Sequence, residues 1–336
     1  MSHEIDTSNG RMNMAHVKGS AKPWWGLGFE VEPDATIDDW AVAGGLKFKV
    51  LKGELMFADE AGTVHAAGKQ LNRAVLYRDD TLAPLSVMSV SKYNIHQPAD
   101  ILAFIADVSK AMGWPVETVG SLFGGRKIWA LLKLPEAFEL PGGDKVEGYL
   151  LACTSFDGST GSEFRFVTVR VVCNNTLEMA IRAANKKAVV YHNTEIDIEQ
   201  VKADLGIGAS IWSGFIEKAK ALAAIKVTSA QAKSVLRRVY GEPKLVPGER
   251  VGAQPVLIEN PNVVRTMGYF EGAGIGSQLA SSKGTGWGLV NAVTQEVDHF
   301  GSNRSARLNS AWFGPGAARK AAVVDAVFEL AVVSGQ

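Results

Sequence analysis

Polar and apolar positions change rhythm most sharply between residues 164 and 187. Phe164, Phe166, Val167, Val169, Val171 and Val172 form an aromatic and β-branched run that predicts a well-covered strand. Asn175, with Glu178 three residues on, has the pattern of a reciprocal helix cap, and Leu177, Ile181 and Ala184 then recur at helical spacing. The expectation is a strand that runs directly into an amphipathic helix. Arg182, Asn185 and Lys186 would share the opposite, polar face of that helix.

The same rhythm divides the rest of the chain. A short helix is expected over 36–44, and strands near 47–57, 63–67 and 74–77. Residues 98–112 have helical periodicity and open on Pro98, whose missing amide costs nothing in a first turn. Strands follow at 117–122, 127–134 and 146–153, separated by the glycine pairs Gly124–Gly125 and Gly142–Gly143, with a further turn over 155–161. Beyond residue 187 the pattern is helical, over 197–205, 210–225, 229–240, 286–300 and 316–333, broken by a Gly- and Pro-rich stretch at 241–255. Short turns between strands belong to antiparallel sheets, so the fold class is α+β: an antiparallel β-meander packed with helices and a helical C-terminal half. The expected organisation is a flexible arm (1–23), an N-terminal α+β subdomain (24–97), the central meander and helices (98–190), a helical segment (191–245), and a C-terminal helical block packing on the core (256–336).

Composition narrows the function classes. Lys and Arg together number 35 and Asp and Glu together 35, so no global field draws in DNA, RNA or anionic lipid, and a nucleic-acid surface would have to be a local patch. Two cysteines and a polar beginning argue against a disulfide framework and a secretory leader, and no run is long and apolar enough to span a bilayer. A cytoplasmic location without membrane partners is the expectation.

Candidate chemistry is sparse. The run Gly272–Ser277, GAGIGS, lacks the strand context and the spacing of a dinucleotide loop, and GSLFGGRK at 120–127 lacks the Lys-Ser/Thr ending of a phosphate loop. The latter reads as a hairpin turn with Arg126 and Lys127 directed to solvent. Cys153 and Cys173 sit in apolar strand surroundings and read as buried thiols. Asp298 and His299 are adjacent, which points them about 100 degrees apart on a helix, with no third ligand nearby in sequence, so no metal is expected. No cofactor is indicated. Trp287, Asn291, Thr294 and Asp298 recur on one face of a helix, either as a buried hydrogen-bonded network or as a recognition surface. The segment after it carries Arg304 and Arg307 without acidic neighbours, which suits either phosphate contacts or a solvated turn. No nucleophile and base stand at a catalytic spacing, because Ser155 and Ser159 flank an Asp157-Gly158 turn and no G-x-S-x-G elbow exists.

Several longer motifs carry a resemblance. PWWGLG, GSLFGGRKIWALLKL, YLLACTSFDGS, VRVVCNNTLEMAI, GTGWGLVNAVTQEVDH and AWFGPGAARK, spread from Pro23 to Val333, resemble the phage/plasmid-like protein family, a domain of unknown function on phages, plasmids and integrated elements. Where members of that family tend to have histidine, in PWHGLG and SHDGS, this chain has Trp25 and Phe156. A role in packing survives that exchange better than one in catalysis. The meander feeding a basic helix is also similar to the core of phage single-strand annealing proteins of the Red-beta, RecT and Erf type. That resemblance implies a groove holding single-stranded DNA, lined here by Arg126, Lys127, Arg165, Arg170, Arg182, Lys186 and Lys187, with Arg304 and Arg307 as further backbone contacts. Strand parity puts Arg165 and Arg170 on opposite faces unless the strand is bulged.

The expectation is therefore a single-stranded nucleic-acid binding protein of a phage or plasmid in a bacterial cytoplasm. It would be a homo-oligomer assisting recombination or replication by strand annealing, with no catalytic residue. One alternative is an enzyme acting on nucleic acid or a nucleotide, with Asp157, Asn174, Asn175, Asn291, Asp298 and His299 gathered by the fold. The other is a non-catalytic accessory or inhibitor protein.

Overall fold

The structure is a computed structural model and describes residues 5–19, 27–170, 175–177, 188–205, 210–246, 255–300, 310–311 and 314–335. Its strands are β1 (Met14–Val17), β2 (Phe29–Val31), β3 (Val50–Glu54), β4 (Met56–Ala58), β5 (Val64–Ala66), β6 (Arg73–Arg78), β7 (Pro84–Ser89), β8 (Val116–Leu122), β9 (Lys127–Lys133), β10 (Phe138–Leu140), β11 (Asp144–Ser155), β12 (Ser162–Arg170), β13 (Asn175–Leu177), β14 (Ala188–Val190), β15 (Lys244–Val246) and β16 (Val256–Ile258). Its α-helices are α1 (Ile37–Ala43), α2 (Gly68–Leu71), α3 (Pro98–Met112), α4 (Ile198–Leu205), α5 (Ser210–Ala224), α6 (Ser229–Tyr240), α7 (Pro261–Gly268), α8 (Gly286–Gln295) and α9 (Pro315–Val333). Mixed helices with antiparallel sheets make this an α+β fold with a helical C-terminal half.

The chain forms two compact units, each assembled from separated stretches. The first comprises Met1–Pro135, Tyr149–Phe166 and Lys186–Ile207, the second Glu136–Gly148, Val167–Asn185 and Gly208–Gln336. Chain passes from one to the other within β11 and within β12.

In the first unit the main sheet runs β14, β12, β11, β9, β8, β1, β2. The pairs β8–β9 and β9–β11 are antiparallel, and β2 joins parallel to β1. Strand β9 reads KIWALLK with six successive buried residues, because a central strand covered on both faces has no polar side to show. Helix α3 contributes Ile101, Leu102, Phe104, Ile105 and Val108 to the core, and Phe104 meets Phe164 of β12 with ring centroids 4.4 Å apart. The turn from β8 to β9 places Phe123, Gly124 and Gly125 at φ values of 53, 69 and 92°, a left-handed run that the glycine pair makes affordable. A smaller antiparallel sheet, β3–β6–β7, stands beside the β4–β5 hairpin.

Arg78, at the end of β6, is fully buried and organises this unit. Its guanidinium grips Asp80 with two bonds of 2.8 and 2.6 Å, reaches Asp6 at 2.5 Å and Ser8 at 3.0 Å, and lies 4.0 Å from the Phe48 ring centre. Asn13 and Ser121 donate to the same Asp6 oxygen at 2.7 and 3.1 Å. Burial pushes the Asp6 carboxyl upward, but the bonds from Ser8, Asn13 and Arg78 outweigh it and hold the group below the usual carboxylate range.

The second unit is built on α8, every residue of which is buried, with α5, α7 and α9 against it and α6 packed on α7 and α9. Thr285 caps α8 by accepting from the Gly288 amide at 3.1 Å. A Cβ on Gly288 would lie 1.8 Å from the Ser282 carbonyl oxygen, so the GTGWG motif is a close approach of two backbones. Helix α8 runs on into a π-helical turn, Glu296–Phe300. Residues 175–177 are not a helix start: Asn175–Leu177 is strand β13, paired antiparallel with Thr168, Val169 and Arg170 of β12. That edge pairing satisfies backbone groups that a helical cap would have left to side chains. The helix expected over 177–184 otherwise lies outside the described residues.

Candidate functional site

The basic residues expected to line a groove take several positions. Arg126 is exposed at the β8–β9 turn. Lys127 is only 7 % exposed, since it opens a central strand and pairs with Leu122 of β8 and Ser155 of β11. Burial lowers its ammonium pKa against the opposing pull of Asp157, Cys153 and Glu163. Arg165 is 6 % exposed and donates to Glu163 at 2.9 Å, the two sharing a face of β12 as residues two apart on a strand do. Arg170 has its backbone in β12, opposite Asn175. Arg182, Lys186, Lys187, Arg304 and Arg307 lie outside the described residues, as does Trp25. Among the described side chains of the set, Arg126 is therefore the one presented to solvent.

The residues of the enzymatic alternative are also placed. Asp157, in the first unit, accepts from the Ser159 amide at 3.0 Å and from its hydroxyl, as an Asp-Gly turn requires. In the second unit Asn291 and Thr294 bond back to the carbonyls of Trp287 and Val290, both at 2.8 Å, and are buried. The polar stripe of α8 is thus internal. Asp298 forms an ion pair with Lys320 of α9, which has no solvent exposure. Asn174 lies outside the described residues, and Asn175 sits in β13. Among the described residues no group of three potential metal ligands converges, and Cys153 is buried with its thiol directed at the Glu163 carbonyl. Phe156 is fully buried, edge-on to Phe48 at 6.3 Å, which is a packing role.

A cleft that the sequence did not announce lies in the first unit. It encloses about 510 Å³ and is lined by Lys52, Tyr93, Asn94, Ile95, His96, Asp100, Ala103, Glu195, Ile196 and Ile198. Its walls are the segment leading into α3 and the segment between β14 and α4. Gln97 fixes the first wall by exchanging two 2.9 Å bonds with the backbone of Val50, and Asp100 accepts from the Gln97 amide at 2.7 Å. Lys52 is tied down by the carbonyls of Val90 and Tyr93, at 2.9 and 2.7 Å.

Behind the cleft the His192 ring is held between Tyr93 and His96, with centroid separations of 4.5 and 4.4 Å. His96 Nε2 donates to the Thr194 carbonyl at 2.7 Å and His192 Nδ1 to the Asn94 carbonyl at 3.0 Å. The other nitrogens meet hydroxyls: His96 Nδ1 with Ser162 Oγ at 2.7 Å, and His192 Nε2 with Thr154 Oγ1 at 3.4 Å. Ser162 donates to Thr154 at 2.8 Å. Burial, and then the neighbouring His96, push the His192 pKa down to about 4, so its ring is neutral at pH 7. Burial, reinforced by Asp157, raises the Tyr93 phenol, which donates to the Ser155 carbonyl at 3.1 Å. With every ring nitrogen engaged, neither histidine offers a lone pair to a metal or a substrate in the cleft. Sequence reading missed this cluster because His96 and His192 share no local spacing.

The family model described as Domain of unknown function (DUF932) matches residues 84–313. No curated protein matches the chain, and no solved structure does. Among the described residues, no helix is long and apolar enough to cross a membrane.

Proposed function

The chain belongs to the DUF932 family, and we propose that it binds single-stranded nucleic acid as a non-catalytic accessory of recombination or replication on a phage or plasmid. The observation that carries the reading is the sheet β8–β9–β11–β12 with α3 across it and exposed Arg126 at its first turn. Beyond β12 the chain carries Arg182, Lys186 and Lys187 within six residues of one another, a density that suits phosphate neutralisation. Burial of Lys127 and Arg165 shifts the contact from the sheet to this turn and segment. Assembly of several copies along a strand would multiply so few charges, and a homo-oligomer is part of the proposal.

Fluorescence anisotropy of the full chain with a labelled single-stranded oligonucleotide, at low and rising salt, tests it. Binding should weaken with a log–log slope of about 0.7 per phosphate neutralised. Arg126→Ala, and separately the triple change Arg182→Ala, Lys186→Ala and Lys187→Ala, should weaken binding and flatten that slope. Absence of binding at low salt would overturn the reading.

A further inference from the structure

Tyr240, Arg265, Glu296, Phe300 and Arg319, all in the second unit, form one chain of contacts around a single carboxylate. Glu296 is 3 % exposed and both its oxygens are taken, Oε1 by Arg265 Nη1 at 2.8 Å and Oε2 by the Tyr240 hydroxyl at 3.4 Å. Arg265 lies 4.1 Å from the Phe300 ring centre, and Arg319 lies 5.6 Å from that of Tyr240. The π-helical turn Glu296–Phe300 separates its two ends, with Glu296 turned inward and Phe300 left 53 % exposed. Such turns are rare and recur at functional sites. Two of the sequence motifs meet here, GTGWGLVNAVTQEVDH through Glu296 and AWFGPGAARK through Arg319.

Charge is unbalanced in this chain of contacts, because two guanidinium groups share one carboxylate and Arg265 already engages it. Lys320, the neighbour of Arg319, is turned inward to Asp298 and has no solvent exposure. Among the described residues Arg265 bonds through Nη1 alone, to Glu296 and to Asn262 at 3.3 Å, which leaves Nε and Nη2 open, and Arg319 makes no hydrogen bond. Both arginines are half-buried, so solvent screens their excess charge less than at an open surface. Guanidinium forks fit phosphate oxygens, and an exposed aromatic ring beside them offers a face to a base. We propose that Arg265, Arg319 and Phe300 form a site for one nucleotide unit, its phosphate on the two guanidinium groups and its base stacked on Phe300. Glu296 and Tyr240 are positioning residues that hold the arginines in place. The inference rests on the nucleic-acid reading and adds to it a contact made by residues other than Arg126 and the 182–187 segment. A free nucleotide presents the same phosphate and base as a strand does.

Anisotropy of the full chain with a labelled single-stranded oligonucleotide, competed by an unlabelled nucleoside monophosphate, decides it. Arg319→Gln should weaken oligonucleotide binding about fivefold or more and lower the log–log salt slope by about 0.7, the loss of one phosphate contact. Arg319→Lys, which keeps the charge, should keep the slope. Phe300→Leu should weaken binding about tenfold with the slope unchanged, because a stacked base carries no charge. Arg238→Gln, at an exposed α6 arginine already paired with Glu329 at 2.7 Å, should bind as the parent does. Competition by the monophosphate identifies a free nucleotide as sufficient, and its failure beside weakened variants identifies a strand as the ligand; both support the site. Oligonucleotide binding unchanged in both Arg319→Gln and Phe300→Leu overturns the site and leaves the nucleic-acid reading standing. Where the parent binds no oligonucleotide at low salt, that reading falls, and saturation-transfer NMR with the monophosphate alone decides the site: a signal lost in Arg319→Gln supports it, and no signal overturns it.

Discussion

Asp144 and Trp287, 143 positions apart, are joined by a buried hydrogen bond in which the indole Nε1 donates to the Asp144 carboxylate at 2.9 Å. Ser281 donates to the same oxygen at 2.6 Å, and Asp144 has no solvent exposure. The pair ties the start of β11 to the first turn of α8 within the second unit. It also gives both motifs a structural reason. GGDK supplies the buried acceptor, and GTGWG supplies the donor on a helix start that only glycine lets approach this closely.

Asp144→Ala strands the Trp287 N–H and the Ser281 hydroxyl in the interior. Unsatisfied buried donors cost about 1–3 kcal/mol each, so a loss on the order of 3 kcal/mol is expected in urea denaturation. Asp144→Asn, whose amide oxygen still accepts, should lose less than half as much. Equal stability of all three proteins would show that the contact contributes nothing.

Arg78→Met leaves Asp6 as an uncompensated buried charge. Breaking such a pair on one side costs roughly 3–5 kcal/mol. Adding Asp6→Asn to that variant should recover part of the loss, because the stranded charge is then gone. A thermodynamic cycle over the two positions measures the coupling, and simple additivity would contradict the buried ion pair.

Stability should fall on acidification in two stages. His192 titrates at about 4 in the folded chain and near 6.5 when unfolded. The unfolded chain therefore binds the proton first as the pH drops, and stability present above 6.5 is lost progressively down to 4. The amount is on the order of 3 kcal/mol at most. Asp6 and Asp80 have folded values held below 3.8, Asp80 chiefly by its bond from Arg78, so their contribution is present above that pH and is lost below it. Thermal melts from pH 8 to 3 should show both stages, and His192→Gln should remove the first alone.

Gly288→Ala forces a methyl group into the Ser282 carbonyl oxygen, a backbone atom that cannot swing aside as the end of a flexible side chain could. Relief requires α8 to move off the 281–285 turn, at a cost of roughly 3 kcal/mol. A melting temperature unchanged from the parent would rule out the close approach. Gly62→Ala is a suitable control for glycine loss without collision, since nothing lies within 4 Å of its added Cβ, although its φ of +83° adds some strain.

What the sequence determined by itself is local. Helix α3 lies where Pro98 and the apolar spacing placed it, and α6 begins after Thr228, whose reciprocal cap with Gln231 involves residues three apart. The glycine pair at 124 and 125 marked a tight turn because the φ values there exclude most other residues. Each of these signals is read within a few residues of chain. Tertiary structure decided the rest. Asn175 has the residue pattern of a helix cap, yet the edge of β12 offers it a strand to pair with, and that offer is invisible along the chain. Lys127 looks like a solvated turn residue until β8 and β11 close on either side of it. The histidine stack, the Arg78–Asp6 pair and the Asp144–Trp287 bond join residues 96, 72 and 143 positions apart. Their geometry exists only once the sheet and helices have packed, because a side-chain contact is fixed by distance in space and carries no period in sequence.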